Sequence, residues 1–127
     1  MPCRKFVEDQ LGLLNHSMAL FSLSQLCYSQ CSLSDIHVNQ FGTGRTVNGK
    51  PQWIVSIINW CACPQTNVQL DCKGFQTVEA IEPSLLQVSG DVCLLNAGQS
   101  VWKAAIQFNY ASDTPFSLNP IFSNVAC

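Results

Sequence analysis

The chain has 127 residues, of which 47% are hydrophobic and only 11% charged, and it carries eight cysteines. That balance excludes a disordered chain, which is charged and poor in apolar residues, and the length suits one domain. With a formal net charge of −2 and no cluster of Lys or Arg beyond Arg4-Lys5, it lacks the basic stripe of a nucleic-acid binder and the polybasic patch of a membrane-surface protein. A protein or a small neutral ligand is the expected partner.

Residues 1–30 read as a leader. Arg4 and Lys5 supply a positive start, and Leu11 to Cys27 is mostly apolar, interrupted by Asn15-His16-Ser17. Glu8 and Asp9 do not suit a secretory signal, whereas Met18 to Gln30 reads as a better leader start, with cleavage near Ser29 or Gln30. The competing reading is an amphipathic N-terminal helix. The stretch is too short and too polar to span a bilayer. Asn15-His16-Ser17 is formally a glycosylation sequon, but it would leave with the leader, as would Cys3 and Cys27.

Residues 31–127 read as one cysteine-rich domain. Asp35 to Phe41 is a short extended run, and Phe41 to Lys50, rich in Gly and containing Asn48-Gly49, is expected to be a loop. Trp53 to Trp60 is the strongest strand. Trp53, Val55 and Ile57 share one face, Ile54, Ile58 and Trp60 the other, which predicts a central strand covered on both sides. Cys61-Ala-Cys63-Pro64-Gln65 is a turn, since Pro64 cannot donate to a ladder. Val68, Leu70 and Cys72 alternate with Asn67, Gln69 and Asp71 as in a half-buried strand. Gly74 breaks it. Phe75 to Ile81 reads as extended, and Glu82-Pro83-Ser84 ends it. Leu85 to Asp91 fits a strand or a helical turn. Asp91 to Asn96 runs to a turn at Ala97-Gly98-Gln99. Trp102, Ala104, Ile106, Phe108 and Tyr110 alternate with Lys103, Ala105, Gln107 and Asn109. Asp113-Thr114-Pro115 turns, and Phe116 to Val125 is the last extended segment. About seven strands with regular turn signals predict an all-β fold, an antiparallel β-sandwich stapled by disulfides.

Cys31, Cys61, Cys63, Cys72, Cys93 and Cys127 are the staples. Disulfides persist in oxidising compartments, so the protein is expected to be secreted and extracellular; a monomer is expected, with nothing in the sequence that fixes the oligomeric state. Cysteines separated by one residue rarely bond each other, so Cys61 and Cys63 should reach different partners. If Asp35–Phe41 pairs with Pro51–Trp60 so that Phe41 faces Pro51, Cys31 falls opposite Cys61, which makes Cys31–Cys61 one candidate. Six cysteines otherwise leave the connectivity open.

The residues for catalysis are sparse. His16 lies in the leader, and His37 stands outward beside Asp35. Asp35, Asp71, Glu79, Glu82, Asp91 and Asp113 are scattered singly, with no spacing that pairs them for acid–base work. Gly42-Thr-Gly44 lacks the third Gly and following helix of a phosphate cradle. Cys61-Ala-Cys63 is spaced too tightly for a zinc pair and has no second pair. The expectation is no enzyme, no metal and no cofactor. Trp53, Trp60 and Trp102 could form a platform for a sugar, although Trp in a strand usually fills a core. By parity, Trp53 and Trp60 face opposite ways, so at most one of them is exposed.

The segments Cys31-Ser-Leu-Ser-Asp35-Ile36, Gly49-Lys-Pro-Gln-Trp53-Ile-Val-Ser-Ile-Ile-Asn59, Cys61-Ala-Cys63, Val68-Gln-Leu-Asp-Cys72-Lys-Gly74-Phe75, Cys93-Leu-Leu-Asn96-Ala-Gly98, Phe108-Asn-Tyr110-Ala111 and Val125-Ala-Cys127 resemble the plant tapetum-determinant family of small secreted cysteine-rich proteins. The resemblance covers the whole of residues 31–127. It implies a signalling ligand in the apoplast that binds the leucine-rich-repeat ectodomain of a receptor kinase and acts in cell differentiation, in the anther and tapetum for the founders. Some family members are labelled glycosyltransferases, but this chain has no Asp-x-Asp motif. The founders' dibasic pair has a counterpart only in Arg4-Lys5. The receptor-contact residues are not legible. The alternative from another class is a wall-associated carbohydrate-binding module, which exposed Trp side chains would favour.

Overall fold

The computed structural model describes residues 31–127, and the expected leader, its sequon and Cys3 and Cys27 lie outside them. Ser32 caps the first element of the described residues. Its Oγ accepts from the Ser34 N–H at 3.3 Å, and its own N–H donates to Asp35 Oδ2 at 2.9 Å. This capping box closes a single 3-10 turn, Leu33–Asp35, and feeds the chain into the first strand.

Strand β1, Ile36–Val47, and β2, Lys50–Asn59, form an antiparallel hairpin. Asn48 (φ 49°) and Gly49 (φ 80°) are its two central residues. Positive φ at both is the type I′ requirement, whose twist matches that of the flanking strands. The expected loop over 41–50 is therefore mostly strand. Gly42 pairs with Trp53 and Thr46 with Pro51, and an irregularity between them absorbs the extra residues. Phe41 consequently faces Ile54 and not Pro51. The register that would set Cys31 opposite Cys61 is not the one formed.

β6, Ile106–Ala111, lies against the other side of β2, with Val55 opposite Phe108 and Ile57 opposite Ile106. This completes a three-stranded sheet, β1-β2-β6. β2 is central in that sheet but covered on one face only. Val55 and Ile57 are fully buried, Ile54 and Ile58 are half-buried, and Trp60 just past the strand is exposed. A two-layer sandwich leaves each sheet one outward face.

The second sheet has the order β4-β5-β3-β7, all antiparallel, with β3 Gln65–Asp71, β4 Leu86–Ser89, β5 Val92–Leu95 and β7 Asn119–Val125. The alternation in β3 holds: Val68, Leu70 and Cys72 are buried while Asn67 and Asp71 are exposed. Leu85–Asp91 resolves as a strand, β4, joined to β5 by Gly90-Asp91. Gly90 has φ 64° while Asp91 is not left-handed, the pattern of a II′ turn.

Two expected strands change. Phe75–Ile81 is irregular. The Val78 N–H donates to the Ala111 carbonyl at 3.0 Å, and the Ala111 N–H donates to Thr77 Oγ1 at 3.0 Å. A side chain thus takes the place of the second rung of a ladder, while Phe75 and Ile81 still pack on the core. The strand expected from Trp102 begins only at Ile106. Val101 is bridged to Gln65 in the other sheet, so residues 102–105 must cross between the layers.

The core lies between the sheets. Val55, Ile57 and Tyr110 from one layer meet Val68, Leu70, Cys93 and Leu95 from the other, with Leu118 closing it, all at 0% exposure. Burial of each large side chain contributes roughly 1.5–3 kcal/mol. Cys72 and Cys93 are bonded inside this core, with Cα atoms 5.9 Å apart, and link β3 to β5. Tyr110 is the polar exception. Its hydroxyl donates to Gln40 Oε1 at 2.6 Å and accepts from the Phe116 N–H at 2.9 Å, while Gln40 Nε2 donates to the Phe116 carbonyl. Burial pushes its phenol upward from the ordinary value, and the Phe116 N–H pulls it partly back.

Candidate functional site

One end of the sandwich gathers most of the chemistry singled out in the sequence. The chain crosses from the first sheet to the second there through residues 60–64, and back again through 102–105. The two crossings are tied together. Trp102 Nε1 donates to the Ala62 carbonyl at 2.9 Å. Beneath them lies a buried amide junction. Asn59, 6% exposed, donates from Nδ2 to the carbonyls of Cys63 at 2.9 Å and Val101 at 2.8 Å, and its Oδ1 accepts from the Cys61 N–H at 3.0 Å. Gln65, fully buried, donates from Nε2 to the Ser32 carbonyl at 3.0 Å, and its Oε1 accepts from Ser123 Oγ. Every polar atom of both amides that needs a partner has one, which is what keeps such burial affordable.

Above that junction two indoles face outward. Trp60 is 68% exposed and stacks on His37, ring centroids 4.2 Å apart and planes inclined by 27°. Its backbone N–H is fixed by the Asp35 carbonyl at 2.9 Å. Trp102 is 41% exposed, and Lys103 Nζ stands 4.7 Å from its ring centre. Trp53 behaves differently. It is half-buried against the core, with Nε1 donating to the Ser112 carbonyl at 3.1 Å. Parity alone separates Trp53 from Trp60, but the crossing that bonds Trp102 to Ala62, two residues from Trp60, has no signal in the sequence.

Cys31, Cys61, Cys63, Cys72, Cys93 and Cys127 are all disulfide-bonded. Four of the six dispersed carboxylates have local structural partners. Asp35 caps its own turn, Asp71 Oδ1 accepts the Lys73 N–H at 3.1 Å, and Asp113 meets Lys50 at 2.8 Å. Glu79 Oε1 accepts from Gln52 Nε2 at 2.9 Å. None of these contacts sets a carboxylate beside a nucleophile, and His37 is engaged through its ring face. Gly42-Thr-Gly44 lies within β1, where Thr43 Oγ1 donates to Gln52 Oε1 at 2.9 Å. Among the described residues, no helix is long and apolar enough to cross a membrane.

Comparison with known proteins places this geometry. Residues 25–127 match the family model for the C-terminal region of tapetum determinant 1. A protein named TPD1 protein homolog 1B from Oryza sativa subsp. japonica is 32% identical over an alignment of 100 positions that covers 76% of this chain. The chain spans 58% of that curated relative's length. No solved structure matches. The matched stretch includes both sheets, both crossings and all six described cysteines, and the chain belongs to the tapetum determinant 1 family.

Proposed function

We propose that the protein is an extracellular signalling ligand that binds the leucine-rich-repeat ectodomain of a receptor kinase and acts in cell differentiation. Membership of the tapetum determinant 1 family across the whole described domain is the observation that carries this reading. The physical design agrees with it. A small domain with a limited core gains stability from cross-links, and all six described cysteines are bonded, as suits an oxidising compartment. Asp35, Asp71, Glu79 and Asp113 bond groups of the fold itself, His37 stacks on Trp60, and the reading needs no reaction from them. A rigid surface suits a protein ligand, because ordering a loose chain on binding subtracts from affinity.

The test is a binding screen. The full chain, expressed through a secretory route and kept oxidised, is passed over a panel of immobilised receptor-kinase ectodomains. Saturable binding to one or a few leucine-rich-repeat ectodomains, lost on reduction, is expected. Binding to none of them, or equal binding by the reduced protein, overturns the reading.

A further inference from the structure

We propose that the end of the sandwich carrying Trp60 and Trp102 is a binding site for a neutral oligosaccharide. The two indoles lie on neighbouring crossings between the sheets. The link from Trp102 Nε1 to the Ala62 carbonyl sets the second indole against the segment that carries the first, two residues from Trp60. Two residues of chain span at most about 7 Å, so the carbonyl that anchors the Trp102 indole lies within the reach of a short saccharide stacked on Trp60. This site is independent of the ligand reading above: a receptor ligand does not require it, and it would stand if no receptor were found.

The rings are exposed where the rest of the core is closed, and both are oriented. Trp60 has one face covered by His37 at 4.2 Å and is still 68% exposed, which leaves the opposite face to solvent. Its rotamer is fixed before any ligand arrives, so little freedom is lost on binding. Pyranose rings present a C–H face that packs on such an indole. Their hydroxyls then need donors and acceptors at the edge of the ring. The outward face of the three-stranded sheet supplies them next to His37. Asn39 lies opposite Ser56, and Ser56 opposite Gln107, one row across three strands. Asn39 and Gln107 are exposed, and their own bonding is slack, since Gln107 Nε2 reaches Ser56 Oγ only at 3.5 Å. The neighbouring row holds Phe41, Ile54 and Asn109. Neither row carries a carboxylate, an ammonium or a guanidinium. Of the charges close in sequence to the two indoles and His37, Asp35 is held by the Ser32 N–H and Lys103 sits over the Trp102 ring. A face built from indole, amide and hydroxyl groups without a free charge complements an uncharged glycan.

The experiment uses the full chain, oxidised, titrated by calorimetry with cellohexaose, laminarihexaose and xylohexaose, and separately with polygalacturonate. Saturable binding of at least one neutral hexasaccharide is expected, with quenching or shift of Trp fluorescence. Trp60→Ala should weaken it about tenfold or more, as loss of one aromatic stacking contact would. Trp60→Phe should restore part of the loss, and Trp102→Ala should weaken binding less. Ile121→Ala, an exposed apolar residue of the opposite sheet at 46% exposure, should change nothing. Near-UV circular dichroism of each variant checks that the fold is retained. Absence of binding to all three neutral sugars overturns the proposal. So does unchanged affinity in Trp60→Ala, or tighter binding to polygalacturonate than to any neutral hexasaccharide. Protection of Trp60 from oxidation by a receptor ectodomain but by none of the sugars would assign the same surface to protein contact and also overturn it.

Discussion

The two ends of the sandwich are held by different chemistry. At the crossing end, Asn59 and Gln65 sit buried with their amides bonded to backbone carbonyls and N–H groups from three separate segments, beside the disulfide-bonded Cys61 and Cys63. At the hairpin end, the Asn48-Gly49 turn lies in solvent. An ion pair between Lys50 and Asp113 joins β2 to the loop after β6, with the two side chains 40% and 71% exposed. The chain Thr43–Gln52–Glu79 runs beside it, and the core disulfide Cys72–Cys93 locks the other sheet. The difference teaches which bonds fix the shape. A buried amide with all its partners has no water to replace them, whereas a surface ion pair exchanges readily with solvent.

Four substitutions sharpen that contrast. Cys72→Ser removes the core disulfide and should lower unfolding stability by about 2–5 kcal/mol, comparable to the whole margin of a small domain. Urea unfolding should show the midpoint collapse. Asn59→Ala comes next. It leaves the carbonyls of Cys63 and Val101 and the N–H of Cys61 short of their partner, at a cost of about 1–3 kcal/mol for a buried group. Hydrogen exchange should rise at residues 61–65 and at Val101 before it rises in the hairpin. If Asn59→Ala is neutral, the crossing end is held by its disulfides alone.

Tyr110→Phe tests the middle of the core. It deletes the donor to Gln40 and the acceptor for Phe116, and should cost about 1–2 kcal/mol at neutral pH. It also has a pH signature. Burial raises the folded-state pKa of Tyr110 above the unfolded value, so the stabilisation is full below about pH 10, the ordinary phenol value. It is lost as pH climbs through the raised folded pKa, because the unfolded state then binds fewer protons. Stability of the parent should fall faster above pH 10 than that of Tyr110→Phe. Parallel curves would show that the phenol is not coupled to folding. Lys50→Ala is the smallest change. The exposed pair should be worth about 0.2–1 kcal/mol, and the effect should shrink further with added salt.

The parts of the fold that were legible in the sequence are those where burial writes a period. Val68, Leu70 and Cys72, and later Phe108 and Tyr110, alternate because their partners are core residues. The cysteine order carried the family. The misread parts lack that imprint. Residues 42–46 are exposed on an edge strand, so nothing in them alternates, and two glycines look like a loop. The Asn48-Gly49 pair was the better signal, since it fixes a two-residue turn and with it the register. Phe75–Ile81 has apolar residues that pack inward, but packing alone does not make a strand when only one ladder rung is available. At the candidate site, the indoles' outward faces depend on where β6 and the two crossings lie. Trp60 and Trp102 are distant in sequence, and only the tertiary fold bonds Trp102 to Ala62, two residues from Trp60.

The two-residue turns also set an order in time. Each sheet owns one hairpin whose strands are neighbours in sequence, β1–β2 through Asn48-Gly49 and β4–β5 through Gly90-Asp91. Such hairpins close in about 1–10 μs. The remaining rungs join distant segments: β6 must reach β2, and β7 must reach β3, with Trp53 and Ser112 separated by 59 residues. Non-local pairing of this kind makes folding slow and leaves strand edges open while it proceeds. Cys72, one residue past β3, is bonded to Cys93 of β5 across a sequence separation of 21, beside a further non-local pairing, β3 against β5. The slow step of folding is therefore expected in the docking of β6 on β2 and of β7 on β3, and not in the closing of the two hairpins.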